Sequence, residues 1–362
     1  MTREPRFDDP NLVREPMTVA EDTGRGSVLS LLGRMGKSAF QGRKLGEAFE
    51  AWKTMIEGDS LICLGYAASM SSAGMWPLIT WLVQRGYIDV LASTSANISE
   101  DLLDMMDGTR VYRVDPEHVD DVALADKGYY RFYDHIVSSK KYDQMETVVT
   151  GRFFDELADT WRKPTIPTVR LLFELGNWLN AKGFEKSILA TAPRNQVPVF
   201  CCGLPDGPIG EGYSTSPKAE QAPVVDFFKD YRIATDVMDN AMMSKRGTSV
   251  VFLGGGVPKD FLQITATSVK TIRGESGPSP HLAAIQITTD NAVFGGLGGA
   301  SVASECISWG KEAADGLNVM LFADVTIALP LLCQGLFERY GPGHARRARA
   351  GIQSDLAALL EA

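Results

Sequence analysis

One lysine of the chain has neighbours that would favour its use as a nucleophile. Lys311 follows Trp309 by two residues, and a glycine-rich run at 295–299 precedes both. An amine kept away from water loses its proton more easily, and a neutral lysine adds to carbonyls and imines. An indole beside it would exclude water and could pack against a cationic ligand. The segment by itself favours a simpler interpretation, a surface lysine beside a core tryptophan, and the rest of the chain changes that balance.

The elements that would position this lysine follow from short apolar runs that alternate with helical patterns. The runs that predict strands are 60–66, 88–92, 197–201, 249–253, 282–287 and 319–323. Buried apolar strands separated by helices are typical of a parallel sheet covered on both faces. Residues 144–182 are mostly helical in pattern and predict a helical insertion. We therefore expect one doubly wound, Rossmann-like α/β domain over 27–340, with a flexible N-terminal arm (1–26) and a helical C-terminal tail (341–362).

The loops that follow the predicted strands are rich in small residues. They include 67–74, 93–97, 206–211 and the glycines at 254–256. Ligands of doubly wound sheets bind beyond the carboxyl ends of the strands, where small residues allow close approach and helix N-termini favour a pyrophosphate. These loops suggest a dinucleotide site. The motif GxGxxG is absent, however, and glycine turns also occur for structural reasons, so the loops alone leave both interpretations open.

Composition narrows the classes of partner. The net charge of −9 disfavours a nucleic-acid partner, and no apolar run is long enough to cross a bilayer. The polar N-terminal residues lack the apolar region of a signal peptide. Five scattered cysteines and four histidines show no metal-ligand spacing. We expect a cytoplasmic protein with no metal site, no membrane segment and no nucleic-acid partner.

Six segments, taken together and in this order, resemble the deoxyhypusine synthase family. They are LGYAASMSSAG (64–74), STSANISEDL (93–102), VPVFCCGLPDGPIG (197–210), FLGGGVPKD (252–260), SWGK (308–311) and FADVTIALPLL (322–332). The resemblance extends from about residue 58 to about residue 337 and is looser over 111–195. It implies an NAD-dependent transferase that works as a homotetramer, with active sites and NAD at the subunit interfaces.

The reaction that this resemblance implies moves the 4-aminobutyl group of spermidine, through an imine on an enzyme lysine, to an acceptor amine. The acceptor is a lysine of the hypusine-bearing translation factor in the founding enzymes. It is free putrescine in related enzymes that make homospermidine. The resemblance assigns the nucleophile to Lys311.

The resemblance also implies a set of binding residues. The substrate-binding positions are Trp309, Glu305, Glu211 and Asp260. The cofactor-binding positions are Ser69, Ser72, Thr94, Ser95, Glu100, Asp206, Gly255, Gly256, Gly296 and Asp324. Glu305 and Trp309 are four residues apart and would share one face of a helix. Glu211 stands where the family has an aspartate.

The chain departs from the family at three positions near the site. Gly295 and Gly298 replace aspartates, and Asp260 replaces a histidine. Loss of an acidic partner removes a charge-assisted hydrogen bond, typically worth about 1.5–3 kcal/mol, which Asp260 or Asp290 could restore from another direction. Three functions stay open: transfer from spermidine or a related polyamine, oxidation or transfer on another amine such as an agmatine-like compound, and non-catalytic binding of NAD or a polyamine.

Overall fold

The protein is described here by a computed structural model that covers residues 26–109, 111–277 and 279–346. Apart from Gly26, the predicted N-terminal arm lies outside the described residues, and so do residues 347–362 of the predicted tail. The described part of the tail, 341–346, forms a turn and irregular backbone and is not helical.

The predicted parallel sheet is confirmed. Within the described residues, the strands in chain order are β1 (Leu61–Tyr66), β2 (Val90–Ser93), β3 (Tyr112–Arg113), β4 (Tyr129–Phe132), β5 (His135–Ser138), β6 (Thr165–Ile166), β7 (Val199–Cys201), β8 (Val224–Val225), β9 (Thr248–Leu253), β10 (His281–Thr288) and β11 (Glu312–Phe322). Six of them form one sheet in the order β11-β10-β9-β1-β2-β7, with every neighbouring pair parallel. The first three of these strands in the chain lie on one side and the last three on the other. This is the Rossmann order, and its switch point lies between β1 and β9.

Helices cover both faces of the sheet. Within the described residues, the α-helices are α1 (Val28–Met35), α2 (Phe40–Glu57), α3 (Trp76–Gln84), α4 (Ser95–Ser99), α5 (Asp121–Asp126), α6 (Ser139–Gln144), α7 (Gly151–Thr160), α8 (Thr168–Ala181), α9 (Ile188–Arg194), α10 (Pro208–Thr215), α11 (Phe227–Met243), α12 (Val257–Ile272), α13 (Glu305–Ser308) and α14 (Val325–Tyr340). Shorter 3₁₀ segments occupy Glu100–Met105, Ala219–Gln221 and Ala292–Phe294, and Met145–Thr150 is a π-helix.

Strand β1 shows why both faces need cover. Its six residues are all buried, and they alternate between two hydrophobic cores. Ile62 and Leu64 enter a large core that also contains buried residues of α2 and α14. Leu61 and Cys63 enter a smaller core with residues of α11 and α12. An apolar run with no polar alternation therefore marks a central strand, as the sequence pattern predicts.

The helical insertion is confirmed, but a small sheet before it is absent from the sequence-based prediction. The insertion, 144–182, contains the π-helical segment, α7 and α8. The small sheet is antiparallel, in the order β3-β5-β4. Its hairpin turns at Tyr133 and Asp134, with Tyr133 at φ 48°. Glycine and asparagine are the usual residues for such a turn, so the sequence carries no clear hairpin signal.

Arg346, the last residue that the structure describes, is anchored at one edge of the sheet. Arg346 is buried and donates to the carboxylate of Asp89 at 2.9 Å and to the carbonyl of Ser60 at 2.6 Å. These partners precede β1 and β2, so the contact lies at the amino ends of the strands. Arg346 is therefore a buried structural residue rather than part of a solvated basic face. Separately, none of the helices in the described ranges combines the length and apolar character that spanning a bilayer requires.

Candidate active site

A cavity of about 1190 Å³ lies at the carboxyl ends of the strands, across the switch point of the sheet. The loops after β1, β9, β10 and β11 line it, and so does the 3₁₀ segment that begins at Glu100. The unpredicted small sheet forms a further wall, because Arg113 and residues 132–135 also line the cavity. A doubly wound sheet binds its ligands at this location.

The glycine turn between β9 and α12 brings backbone to the cavity. Gly254 and Gly256 have φ of 77° and 81°, which residues with a side chain rarely adopt. A Cβ at Gly255 would lie 2.0 Å from the Cα of Gly298, so the two glycine loops touch through their backbones. Helix α12 begins directly after Gly256. Its N-terminus makes this side of the cavity favourable for an anion.

Glu100 is the carboxylate at the cavity with the most developed set of partners. The hydroxyl of Ser72 donates to one oxygen, and the hydroxyl of Tyr142 donates to the other at 3.1 Å. Burial raises the pKa of Glu100, although both hydrogen bonds act in the opposite direction. A carboxylate held in this way can also accept from a pair of ribose hydroxyls.

Most of the predicted cofactor residues meet at this cavity. Those that line it are Ser69, Ser72, Glu100, Gly255, Gly256, Gly296 and Asp324. Asp324 also caps the N-terminus of α14, where its carboxylate accepts from the backbone amide of Thr326 at 2.7 Å.

Three predicted cofactor residues lie outside the cavity lining. Thr94 and Ser95 stand at the end of β2, and Asp206 lies in the turn before α10. Ser95 is buried, and a Cβ at Gly207 would lie 3.0 Å from its hydroxyl oxygen. These strand ends therefore pack against each other rather than face the large cavity.

Lys311 is held by a carboxylate. Its Nζ lies 2.6 Å from Oδ1 of Asp260, and its side chain is only 13% exposed. The indole of Trp309 is 5.9 Å from the same nitrogen, measured to the ring centroid, and is 73% exposed. The interpretation of a surface lysine beside a core tryptophan is thus wrong on both counts. Lys311 itself does not line the cavity. Helix α12 connects the lysine to the cavity, because Gly256, just before the helix, lines the cavity and Asp260, in the first turn of the helix, contacts Lys311.

Of the other two predicted substrate residues, Glu305 lies in the same segment as Lys311, whereas Glu211 lies on a separate helix. Glu305 begins α13, a single turn that ends just before Trp309, so both residues belong to the segment that delivers Lys311. Glu211 lies in the first turn of α10, which packs against the π-helical segment of the insertion. The pKa of Glu146 in that segment is raised to about 7, mainly by burial and next by the negative charge of Glu211. The structure does not bring Glu211 to Lys311 within this chain.

Sequence reasoning missed two residues that hold the glycine loop (residues 295–300) in place. Lys259 is buried, and its Nζ donates to the side chain of Gln286 and to the carbonyl of Leu297, each at 2.9 Å, and to the carbonyl of Ala300 at 2.5 Å. Burial lowers the pKa of Lys259. Gln286 in turn donates to the carbonyl of Gly298 at 2.9 Å. A glutamine within the apolar run of β10 was the available signal, because a buried polar side chain needs a partner.

A buried carboxylate, that of Glu312, directly follows Lys311 in the chain. Glu312 is 1% exposed, and one of its oxygens accepts from the side-chain amide of Gln263 at 2.5 Å. The other oxygen has no partner among the described residues. Burial raises the pKa of Glu312 to about 7.

Comparison with known proteins agrees with this geometry. The family profile of deoxyhypusine synthase matches residues 30–336. Probable deoxyhypusine synthase 2 of Archaeoglobus fulgidus is 35% identical over 303 residues, which cover 83% of this chain and 95% of the relative. Probable deoxyhypusine synthase 2 of Methanosarcina mazei is 33% identical over 332 residues, which cover 91% of this chain and 92% of the relative.

Among solved structures, a deoxyhypusine synthase of Entamoeba histolytica shares the fold. Its TM-score is 0.56 at 17% identity, over 91% of this chain and 99% of that chain. Three observations indicate the same family: the parallel sheet with its cavity at the switch point, the six sequence segments in order, and the profile match over most of the length. The chain therefore belongs to the deoxyhypusine synthase family.

Proposed function

We propose that the protein is an NAD-dependent transferase that moves the 4-aminobutyl group of spermidine, or an aminoalkyl group of a related polyamine, to an amine acceptor. One observation carries the proposal. The partly buried Lys311 is held by Asp260 at 2.6 Å, one helical turn from the glycine turn that lines the cavity. The acceptor is a small amine such as putrescine or a lysine of the hypusine-bearing translation factor.

The residues at the cavity suit NAD. Gly255 and Gly256 would hold the pyrophosphate at the start of α12, while Glu100 with Ser72, and Asp324, would bind hydroxyl groups. The requirement for glycine at 255, where a Cβ would meet the facing loop, supports a cradle built for close approach. When bound, NAD would accept a hydride from the carbon beside the substrate amine and return it to the product.

The chain's own residues would carry the transfer. Lys311 must lose a proton before it can add to the substrate, and the Asp260 carboxylate is placed to accept that proton. A bond then forms between Lys311 Nζ and the aminobutyl carbon, and the bond to 1,3-diaminopropane breaks, with the proton passing to the departing amine. Trp309 would cover the cationic substrate, and Glu305 would bind an ammonium group.

A donor other than spermidine is the second candidate. Gly295 and Gly296 have open space beside them, where an added Cβ would meet no atom within 4 Å. The resemblance places an aspartate near the cofactor at 295. Its replacement by glycine leaves room for a bulkier planar cation, such as the guanidinium of an agmatine-like compound, as an alternative donor.

We further propose that the protein assembles as a homotetramer with its sites at subunit interfaces. Apolar side chains around the site support this, because Trp309 is 73%, Phe294 85% and Ile327 67% exposed. Large exposed apolar patches typically mark interaction sites. The five cysteines are all free thiols, which supports a reducing compartment such as the cytoplasm.

The test uses the full chain with NAD and spermidine, with and without putrescine, and analyses the products by mass spectrometry. We expect 1,3-diaminopropane, a new polyamine and, after borohydride reduction, a stable aminobutyl adduct on Lys311. The variant Lys311→Arg should bind NAD normally, as measured by calorimetry, and give neither adduct nor product. Turnover by this variant would refute the role of Lys311. Absence of product from the unaltered protein, with spermidine, agmatine and the translation factor each supplied, would refute transfer.

A further inference from the structure

The space that a side chain at position 298 would need is already filled. A Cβ at Gly298 would lie 1.8 Å from Oδ2 of Asp290 and 2.8 Å from its Cγ. Two residues on different segments therefore compete for one place, and in this chain Asp290 occupies it. Asp290 and Gly298 both line the cavity, together with Gly255 and Gly256.

The glycine loop cannot withdraw to make room. The carbonyl of Gly298 accepts from Gln286 at 2.9 Å, and the neighbouring carbonyl of Leu297 accepts from the buried Lys259. On its other side the Cα of Gly298 is in contact with the backbone at Gly255, where a Cβ would lie 2.0 Å away. With the loop fixed in this way, only a glycine is compatible with the present position of Asp290.

Asp290 is fixed at its backbone and available at its carboxylate. Its amide donates to the hydroxyl of Thr288 at 3.0 Å, which orients the residue just beyond β10. The residue is exposed toward the cavity, and no cation of the described residues pairs with its carboxylate. Four further carboxylates line the same cavity, those of Glu100, Asp104, Asp134 and Asp324. A carboxylate in this setting has the charge and the geometry to accept hydrogen bonds from an ammonium group.

We propose that Asp290 is a specificity-determining residue for the cationic amine substrate, which it binds from the end of β10 in place of a carboxylate on the glycine loop. The inference rests on the proposed function, because transfer of a hydride to NAD in this cavity requires the amine substrate to reach the same cavity. It predicts that positions 290 and 298 are exchangeable as a pair but not singly. The ligand class is a polyamine with an ammonium group that enters between β10 and the glycine loop.

The test measures binding of spermidine to the full chain by calorimetry, with and without saturating NAD. Asp290→Asn keeps the shape of the side chain and removes its charge, so we expect spermidine affinity to fall roughly ten- to hundredfold. Gly298→Asp alone should also lose affinity, because the new side chain would displace the Asp290 carboxylate from its present position. The exchange Asp290→Gly with Gly298→Asp should recover most of the affinity. Asp126→Asn, an exposed carboxylate on α5 outside the cavity, is the matched control and should change nothing.

The outcomes separate this inference from the proposed function. Unchanged spermidine affinity in Asp290→Asn, with clear binding by the unaltered protein, would overturn the role of Asp290 and leave the transferase proposal intact. No spermidine binding by the unaltered protein would overturn both. NAD affinity and circular dichroism identify any variant that fails to fold. Asp290→Asn alone decides the question if Gly298→Asp is one of these.

Discussion

At the scale of single residues, the contact between Lys311 and Asp260 would join the proposed nucleophile to a proton acceptor. The resemblance implies a histidine where this chain has Asp260, so a carboxylate would take the role of a different type of side chain. Both groups can accept a proton, but the carboxylate also holds the ammonium form by charge. Its distance of 2.6 Å is that of a strong charge-assisted hydrogen bond.

We predict that Asp260→Asn slows formation of the lysine adduct by about 10²–10⁴-fold, which is the range for loss of a positioned acid or base. Asparagine keeps the shape but cannot accept the proton. Asp260→His should recover part of the rate, with a pH profile that follows the imidazole. The measurement is borohydride trapping at a series of times and pH values. Equal rates in the unaltered protein and Asp260→Asn would rule out a proton-transfer role.

The buried Glu312 predicts a dependence of stability on pH. Its pKa rises from 4.5 to about 7 on folding, because burial disfavours the charge. The folded state then binds more protons than the unfolded state between these values, so the free energy of unfolding falls as pH rises through the window. The loss reaches about 3 kcal/mol above pH 7. Glu312→Gln removes the charge, and its stability should therefore exceed that of the unaltered protein above pH 7.

Urea denaturation of both proteins at pH 4.5, 6 and 8 measures this difference. The gap between them should be small at the lowest pH and widest at the highest. Asp101 titrates in a similar range, since burial raises its pKa to about 7, and its contribution cancels in the comparison. A gap that is the same at every pH would contradict the prediction.

At the scale of elements, the site depends on how the glycine loop is fastened to α12 and β10. Lys259 on α12 and Gln286 on β10 donate hydrogen bonds to three of its carbonyl groups. The loop contains no regular structure of its own, and a short 3₁₀ turn, Ala292–Phe294, precedes it. Its conformation is therefore set by its partners rather than by its sequence.

We predict that Lys259→Met loosens the loop and lowers stability by about 1–3 kcal/mol, the range for buried polar groups left without partners. Methionine fills a similar volume but donates no hydrogen bond to the carbonyls of Leu297 and Ala300. Hydrogen exchange should increase at residues 295–300, and NAD affinity should fall. Lys270→Met, in the last turn of the same helix, is the control. Unchanged exchange in the loop would contradict a fastening role for Lys259.

At the scale of the whole molecule, the fold could be predicted because its signal is repeated along the chain. Six apolar runs, each followed by a glycine-rich or polar turn, are enough to indicate a parallel doubly wound sheet. The small antiparallel sheet could not be predicted, since its strands have two to four residues and its turn lacks glycine. The start of β11 was also missed, because residues 313–318 are largely half-exposed or exposed and lack an apolar pattern.

The candidate site could be predicted in part for a similar reason. Loops that follow strands meet at one edge of the sheet, so the sequence pattern could suggest a dinucleotide site there. The individual residues Ser72, Glu100, Gly256 and Asp324 were assigned by the resemblance to the family. The contacts of Lys259 and Asp260 depend on which side of α12 faces the lysine, and a sequence does not show this. The pairing of Asp290 with Gly298 joins positions eight apart through a bend that has no sequence signature.

The backbone contact between Gly255 and Gly298 has a consequence for mutational scanning. A scan that changes one position at a time would score 255 and 298 as intolerant, each because of the other loop or of Asp290. Gly255 faces backbone atoms of residue 298 and is required whatever side chain stands there, whereas position 298 is limited by the Asp290 side chain, so a single-site scan would not separate a strict requirement from a mutual dependence. Libraries that vary 290 and 298 together would reveal which amine-binding arrangements are accessible from this chain, and by how few simultaneous changes.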